Sequence, residues 1–487
     1  MRETSSKVIY NFIWRLLERC GAQFVSFVVS IILARILMPE DYGIVALVAV
    51  FTSILEVFVD SGLGTALIQK KDADDLDFST VFYFNFVVCL ILYVGIFALA
   101  PLIALFYDDL ALTSVIRALG LTIVISGIKG IQQSYVSRNM LFKRFFFSTL
   151  GGTLVSAIIG IAMAYAGFGV WALVAQQLSN AAIDTLILWI TVGWKPKLMF
   201  SWSRLWGLLS FGWKILVSAL LDTGYNNLRN LVIGKMYSAA DLAYYNQGDK
   251  FPKIIVININ ASIDSVLLPA MSGEQDNHVQ VKRMTRRAIK TSTFVMAPMM
   301  IGLAFCAETI VRFVLTDKWL PCVPFLQIFC VTYMFWPIHT ANLNAIKAMG
   351  RSDLFLQLEI IKKVVGMILL LSTMRFGVMA MAYSLLASTL TSMLINSWPN
   401  RKLLGYSFVD QIKDIFPAIS LAVFMGVIVM LIGKIQVSLV VRLGVQILVG
   451  VSIYIGGAEG LRLESFEYLK GILCSVLRKI SNHRKTV

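Results

Sequence analysis

Charge is scarce in this chain. Only 15% of its 487 residues are Asp, Glu, Lys or Arg, against 58% hydrophobic. A soluble protein of this length needs far more polar surface, so the apolar excess must face lipid. Histidine is scarcer still, with His278, His339 and His483 the three present. The six cysteines (Cys20, Cys89, Cys306, Cys322, Cys330, Cys474) are scattered, with no C-x-x-C and no metal-ligand spacing. That excludes a disulfide scaffold or zinc module and leaves small, reduced core residues. No P-loop occurs, which excludes a built-in ATPase. Outer connections are too short for the large external catalytic loop of a glycan polymerase. No cleavable signal pattern is present: the first apolar stretch is too long for one and carries Arg15, Glu18 and Arg19, so it reads as a first span. Acidic residues are also few, leaving a net charge of +15. The basic residues are dealt out between apolar segments rather than gathered into a patch with aromatics, which excludes nucleic acid as a partner.

What is present is a series of about fourteen apolar segments, each long enough to cross a bilayer. They run over 9–34, 43–66, 79–106, 113–134, 145–166, 169–192, 207–234, 241–271, 289–315, 322–346, 354–374, 377–399, 414–433 and 437–459. Every second connection is basic. One set holds 26 Lys and Arg, among them Lys70, Lys71, Arg138, Lys143, Arg144, Arg286, Arg287 and six after Glu459; the other holds Arg35, Lys235, Lys318, Arg375 and Lys434. The positive-inside rule then places both termini in the cytoplasm and demands an even number of spans. Trp171, Trp194, Trp202, Trp206, Trp319 and Trp398 fall at span ends, where interfacial rings are expected. In the tail, Phe466, Leu469, Leu473, Val476 and Ile480 recur at helical spacing with Lys470, Arg478 and Lys479 between them, which predicts an amphipathic helix on the anionic inner leaflet.

The chain also hints at a repeat. Ile32-Leu33-Ala34-Arg35-Ile36-Leu37 closes the first span and Val232-Ile233-Gly234-Lys235-Met236-Tyr237 the seventh, with Asp41 and Asp241 following at the same offset of 200. An even number of spans per block makes the halves parallel, a plan known among transporters. The expected division is an N-lobe over 1–192, a linker over 193–206, a C-lobe over 207–399, two appended spans over 400–459 and a basic tail over 460–487.

A charge at the bilayer centre costs at least ~2.5–3.5 kcal/mol on insertion scales, so charges within spans should face protein or water. Arg15, Glu18 and Arg19 share one face of the first span. Glu56 and Asp60 lie in the second, with Glu56 at a depth suited to pairing with Arg15. Lys214, Asp222 and Arg229 lie in the seventh, and Lys250, Lys253 and Asp264 in the eighth, where Pro252 should break or bend the helix. Asp184, Glu359, Lys362 and Lys363 complete the set, while Lys129, Arg117, Arg312 and Arg442 sit near span ends and should snorkel. Cations outnumber anions at the deepest positions. The candidate anion-binding residues are therefore Arg15, Arg19, Lys214, Arg229, Lys250 and Lys253, with a phosphate as the suited ligand. Glu18, Glu56, Asp60, Asp222 and Asp264 are candidates for pairing with them or for coupling to H+ or Na+. No cofactor or metal is expected. His339, near Asn342 and Asn344, is a packing histidine rather than a catalytic one on this reading.

Several stretches carry a family likeness. They are Leu37-Met38-Pro39-Glu40-Asp41-Tyr42-Gly43, Asp60-Ser61-Gly62-Leu63-Gly64-Thr65-Ala66 with Lys70-Lys71-Asp72, Gly169-Val170-Trp171-Ala172-Leu173-Val174, Leu209-Ser210-Phe211-Gly212, Leu242-Ala243-Tyr244-Tyr245-Asn246 and Leu268-Pro269-Ala270-Met271-Ser272. In this order, across residues 8–460, they resemble the polysaccharide transport family of Wzx-type lipid-linked oligosaccharide flippases, the colanic and teichuronic acid exporters. That family belongs to the superfamily that also holds multidrug and toxin extruders and the lipid II flippase. Ala243 departs from it, standing where the family often has glycine. The resemblance implies an all-α membrane protein, with two six-helix lobes around a central cationic cavity and two appended helices. It implies a non-enzymatic flippase in the bacterial cytoplasmic membrane that moves an undecaprenyl-diphosphate-linked oligosaccharide from the inner to the outer leaflet. Partners would be that glycan lipid, membrane lipids, and the polymerase and glycosyltransferases of the same assembly line. The competing readings are an ion-coupled multidrug antiporter, a membrane enzyme of polysaccharide assembly and a non-transporting scaffold.

Overall fold

A computed structural model describes Trp14, residues 21–60 and residues 62–484. Its described residues form helices and connections with no strand. The chain divides into two compact units, Met1–Ala243 and Tyr244–Val487.

The first unit contains α1 (Gly21–Ile36), α2 (Pro39–Asp60), α3 (Leu63–Gln69), α4 (Asp75–Tyr107), α5 (Ala111–Arg138), α6 (Phe142–Tyr165), α7 (Val170–Thr191) and α8 (Trp202–Met236). Local chemistry sets the helix starts. Asp74 caps α4 by accepting from the Asp77 amide at 3.0 Å, and Asp77 reciprocates by accepting from the Asp74 amide at 3.2 Å. Leu63, Leu67, Phe78, Val81, Ile131, Leu188, Trp194 and Leu205 pack as one buried core from α3, α4, α5, α7, α8 and the connection between the last two. Around it α4 exposes Leu90, Ile91, Val94, Leu102 and Leu105. Such a continuous apolar face has no place in water and reads as lipid contact.

A polar clasp closes the end of this unit where α3 meets α4. Asp77 is fully buried and paired with Lys70 at 2.7 Å and Arg204 at 3.1 Å. Asp75 pairs with Lys197 at 2.6 Å and accepts from the Trp194 indole at 3.0 Å. Arg138 donates to the carbonyls of Leu67, Lys70 and Lys71, tying α5 to the same connection. Basic residues of these connections thus hold the helix ends of this unit together.

In the second unit, α9 (Ala239–Ser272, starting in the first unit), α10 (His278–Phe305), α11 (Ala307–Val314), a 3-10 turn (Asp317–Cys322), α12 (Val323–Met334) and α13 (Trp336–Ala348) are followed by α14 (Ser352–Thr373), α15 (Val378–Leu403), α16 (Phe408–Gly433), α17 (Leu439–Gly460) and α18 (Glu464–Arg484). Met271, Val281, Ile289, Ile338, Ala341, Ala345, Met393, Tyr406 and Ile415 form its core. A buried amide cluster pins α13, α15 and α16. Asn342 exchanges hydrogen bonds with Gln411 at 2.9 and 3.0 Å, and Asn400 donates to Asn342 at 2.7 Å. In a low-dielectric interior such interlocked amides specify register, with the Asn400 side-chain oxygen the member that accepts no bond among the described residues.

Eleven helical stretches among the described residues are long and apolar enough to cross a membrane, or twelve if the bent α8 is one span. The protein is therefore an all-α polytopic membrane protein, and among the described residues the count stands at eleven or twelve where fourteen were expected. Two predicted spans account for the difference. The first is described only over Gly21–Ile36, and α14 carries Glu359, Lys362 and Lys363 within a single apolar window.

Other expectations are corrected in part. Pro252 does not break its helix: α9 runs unbroken through it. The carbonyl that this proline leaves free belongs to Gly248, where an added Cβ would lie only 2.9 Å from the Leu326 amide nitrogen, so close backbone packing holds the turn. The sharp bend lies elsewhere, 51° between Trp202–Ser210 and Gly212–Met236. There the left-handed Gly62 abuts Gly212, whose carbonyl would sit 2.8 Å from a Cβ on Gly62. Trp194 and Trp319 are buried rather than interfacial, whereas Trp171, Trp202, Trp206 and Trp398 are exposed.

The suspected repeat has a structural counterpart. α1 and α8 end at Ile36 and Met236, and α2 and α9 begin at Pro39 and Ala239, each pair 200 residues apart. Asp41 accepts from the Met38 amide at 3.1 Å and Asp241 from the Ser238 amide at 3.2 Å, the same capping contact in each copy.

The tail forms a helix, as expected, and its first turns are docked. Glu464 bonds to Lys290, Arg287 lies 4.5 Å from the Tyr468 ring centre, and Lys470 pairs with Glu459 at 2.6 Å. The Lys290 ammonium holds the Glu464 carboxyl below its ordinary value of 4.5. A depressed carboxylate contributes fully above its undocked pKa and loses that contribution as pH falls through the lowered value. A nitroxide on Cys474, the exposed cysteine of α18, in a Cys20→Ser background should therefore gain mobility below pH 4.5. Glu464→Gln should remove that pH step.

Candidate functional site

The charges singled out from the sequence divide by unit. Arg15, Glu18 and Arg19 lie outside the described residues, as does the side chain of Asp60 at the end of α2. Glu56 is exposed on α2. On α8, Lys214 and Asp222 are exposed and Arg229 is half-buried. Asp222 accepts from Asn226 at 3.1 Å, while Asn227 donates to Ser53 at 3.3 Å and ties α8 to α2. This polar face lies on two adjoining helices of the first unit.

In the second unit, α9 carries the other half of the set. Lys250 is half-buried and Lys253 exposed. Lys253 pairs with Asp249 one turn earlier at 3.0 Å, and Asp249 also accepts from the Tyr333 hydroxyl. Sequence reasoning missed Asp249, although its i,i+4 spacing to Lys253 was the available signal. The pair leaves Lys253 oriented, with half its side chain open to a ligand. Further along α9, Asp264 accepts from Asn344 of α13 at 2.8 Å. Both line a cavity of about 250 Å³ with Asn260, Trp336, Thr340 and Lys347. The Trp336 and Tyr333 ring centres lie 5.1 Å apart, so Tyr333 touches both the cavity's tryptophan and, through its hydroxyl, Asp249 beside Lys253. Trp336, Tyr333, Asn260 and Lys347 gave no sequence signal as a group, because they come from three helices.

The remaining intramembrane charges are largely paired. Lys129 does not snorkel; it meets Asp184 at 3.2 Å with both side chains mostly buried. Two carboxylates and a neighbouring ring hold other span-end cations: Arg312 meets Glu308 at 3.1 Å and Asp317 at 3.5 Å, and Arg117 lies 4.2 Å from the Phe97 ring centre. Lys362 pairs with Glu359 at 2.6 Å. His339 bonds through Nδ1 to Asn396 at 3.1 Å, whereas Asn342 and Asn344 engage other partners. The three do not form a catalytic constellation. Among the described residues no group of three His, Cys, Asp or Glu side chains is arranged to hold a metal.

Comparison with known proteins adds the context these residues need. The model of a family described as polysaccharide biosynthesis protein matches residues 32–324. The teichuronic acid biosynthesis protein TuaB of Bacillus subtilis is 27% identical over 310 residues, 62% of this chain and 63% of that protein. The succinoglycan biosynthesis transport protein ExoT of Rhizobium meliloti is 24% identical over 325 residues, 67% of this chain and 66% of its own length. The chain thus spans just under two thirds of the length of either relative. Among solved structures, the lipid II flippase MurJ in an inward closed conformation superposes with a TM-score of 0.75 at 15% identity, covering 94% of this chain and 100% of that one. At that identity the likeness establishes the fold. The family match, by contrast, spans more than half of the 487 residues, and the chain belongs to the polysaccharide biosynthesis protein family.

Proposed function

We propose that this protein is a flippase that moves a polyprenyl-diphosphate-linked oligosaccharide from the inner to the outer leaflet of a bacterial cytoplasmic membrane by alternating access, with both termini in the cytoplasm. The observation that carries the reading is the pair Lys250 and Lys253 inside a membrane helix of a protein with a flippase's fold. A diphosphate cannot enter hydrocarbon unaccompanied, since an unpaired buried charge costs several kcal/mol or more even after relaxation. Cations along the path replace its hydration with charge-assisted contacts, while a prenyl tail has no reason to leave the lipid. The names of the curated relatives, in teichuronic acid and succinoglycan production, support a cell-surface glycan as cargo. Arg15, Arg19, Lys214 and Arg229 are assigned with Lys250 and Lys253 to the anionic headgroup. Glu18, Glu56, Asp60, Asp222 and Asp264 are assigned to pairing or to H+ or Na+ coupling, and the enzymes that build and polymerise the glycan are the partners.

The test is leaflet accessibility of an undecaprenyl-diphosphate oligosaccharide in proteoliposomes. A contact to a charged group is worth about 1.5–3 kcal/mol, so the Arg19→Ala, Lys253→Ala double variant should move the glycan lipid at least about tenfold more slowly while inserting normally. Full transport by the double variant would remove these cations from the path.

A further inference from the structure

We propose that the cavity between α9 and α13 is a subsite for one neutral sugar ring of the transported headgroup. The inference rests on the flippase reading and adds to it where the glycan, rather than the diphosphate, is held.

The lining has the chemistry of a carbohydrate site. Trp336 is 39% exposed, and its ring is steadied at 5.1 Å by Tyr333. It thus offers an apolar platform of the kind that the C–H face of a pyranose covers. Around it stand groups that both donate and accept. Asp264 accepts from Asn344, which is only 1% exposed and so fixes the carboxylate in place. Thr340 and Lys347 add a hydroxyl and an ammonium. The side-chain oxygen of Asn260 is buried and accepts no hydrogen bond among the described residues. A buried, unsatisfied acceptor costs about 1–3 kcal/mol, which a small turn of the Asn260 amide toward a sugar hydroxyl in the cavity would recover.

Charge and size narrow the ligand further. One carboxylate, Asp264, faces the same cavity as one ammonium, Lys347. The two leave the cavity without net charge, which suits a neutral polyol better than a phosphate. The volume of about 250 Å³ is below the ~300–1,000 Å³ of pockets for drug-sized ligands, which suits a single ring. Position agrees as well. Asp264 is eleven residues beyond Lys253 on the same helix, about 16 Å at 1.5 Å per residue. A headgroup whose diphosphate is held at Lys253 extends along α9 toward the cavity.

The experiment compares binding of two probes to the full chain in nanodiscs: undecaprenyl diphosphate, and the same lipid carrying a trisaccharide of neutral hexoses. Wild type should bind the glycan lipid about tenfold more tightly than the bare lipid, the yield of one stacking contact plus one rescued hydrogen bond. Trp336→Ala and Asn260→Ala should each reduce that margin to about threefold, and the double variant should erase it, with the bare lipid's affinity unchanged throughout. Trp336→Phe, which keeps a ring, should retain most of it and shows that the alanine result is not a folding defect. Equal affinity of wild type for the two lipids, or an equal loss for both lipids in the variants, would overturn the subsite while leaving the flippase reading intact. Failure of wild type to bind either lipid would overturn both.

Discussion

Replacing Gly43 by alanine is expected to cost about 3 kcal/mol of stability, the upper end of what overpacking does. Gly43 is buried in the first turns of α2, and a Cβ there would lie 1.8 Å from the carbonyl oxygen of Ala239, the first residue of α9, and 2.4 Å from its carbonyl carbon. These are backbone atoms, so no rotamer change relieves the collision. The better helix propensity of alanine returns only about 1 kcal/mol. Gly43→Ala protein should therefore accumulate poorly and lose its monodisperse chromatographic peak at a clearly lower temperature than wild type. Gly21→Ala, where a Cβ meets nothing within 4 Å, is the control and should behave as wild type. An unchanged melting temperature for Gly43→Ala would mean that the two hairpins of the repeat do not approach as described.

Asp77→Ala should be comparably damaging, also by about 3 kcal/mol. Removing one member of a buried ion pair typically costs about 3–5 kcal/mol because the partner charge is stranded. Here the lower end applies, since Lys70 and Arg204 keep 32% and 39% of their side chains exposed and can turn to water. Asp77 also closes the capping box of α4, so the helix start loses its reciprocal bond. Asp77→Asn retains an acceptor of the same shape and should lose less. Thermal stability of the two variants in detergent, read side by side with Asp75→Ala, checks this ordering. Asp75 is about half exposed, and removing its pair should cost under about 1 kcal/mol.

Much of the architecture was legible because the bilayer imposes it. Alternating basic connections and apolar runs mark helices whatever their packing, and the six-residue likeness at offset 200 marked equivalent hairpins because a cap such as Asp41 or Asp241 is local. Bends were less legible. Proline weighed heavily at Pro252, yet α9 is continuous there, and the bend fell at Ser210–Gly212, where close approach by Gly62 decides the geometry. Exposure of tryptophan was half-legible for the same reason: Trp194 is drawn inward by the Asp75 carboxylate, a partner 119 residues away in sequence. For the site, the cations on α8 and α9 could be named from charge in an apolar run. Their neighbours could not. Asp249 was within reach of an i,i+4 argument, but the cavity of Trp336, Asn344 and Asn260 exists only once α9 and α13 are side by side.

These observations bear on mechanism through charge. Lys253 is held by Asp249 and half open, so it can exchange a weak internal partner for a stronger external anion. An ion-gradient dependence of transport, lost on neutralising the acidic residues of α2, α8 and α9, would assign those residues to coupling.

The most direct measurement of the central claim sets two cargos against each other in the same proteoliposomes: an undecaprenyl-diphosphate oligosaccharide and a lipophilic cationic dye, each under imposed H+ and Na+ gradients. A flippase built around intramembrane lysines should move the glycan lipid across the bilayer and leave the dye where it was. Movement of the dye with an immobile glycan lipid would contradict the account and make the protein a drug antiporter.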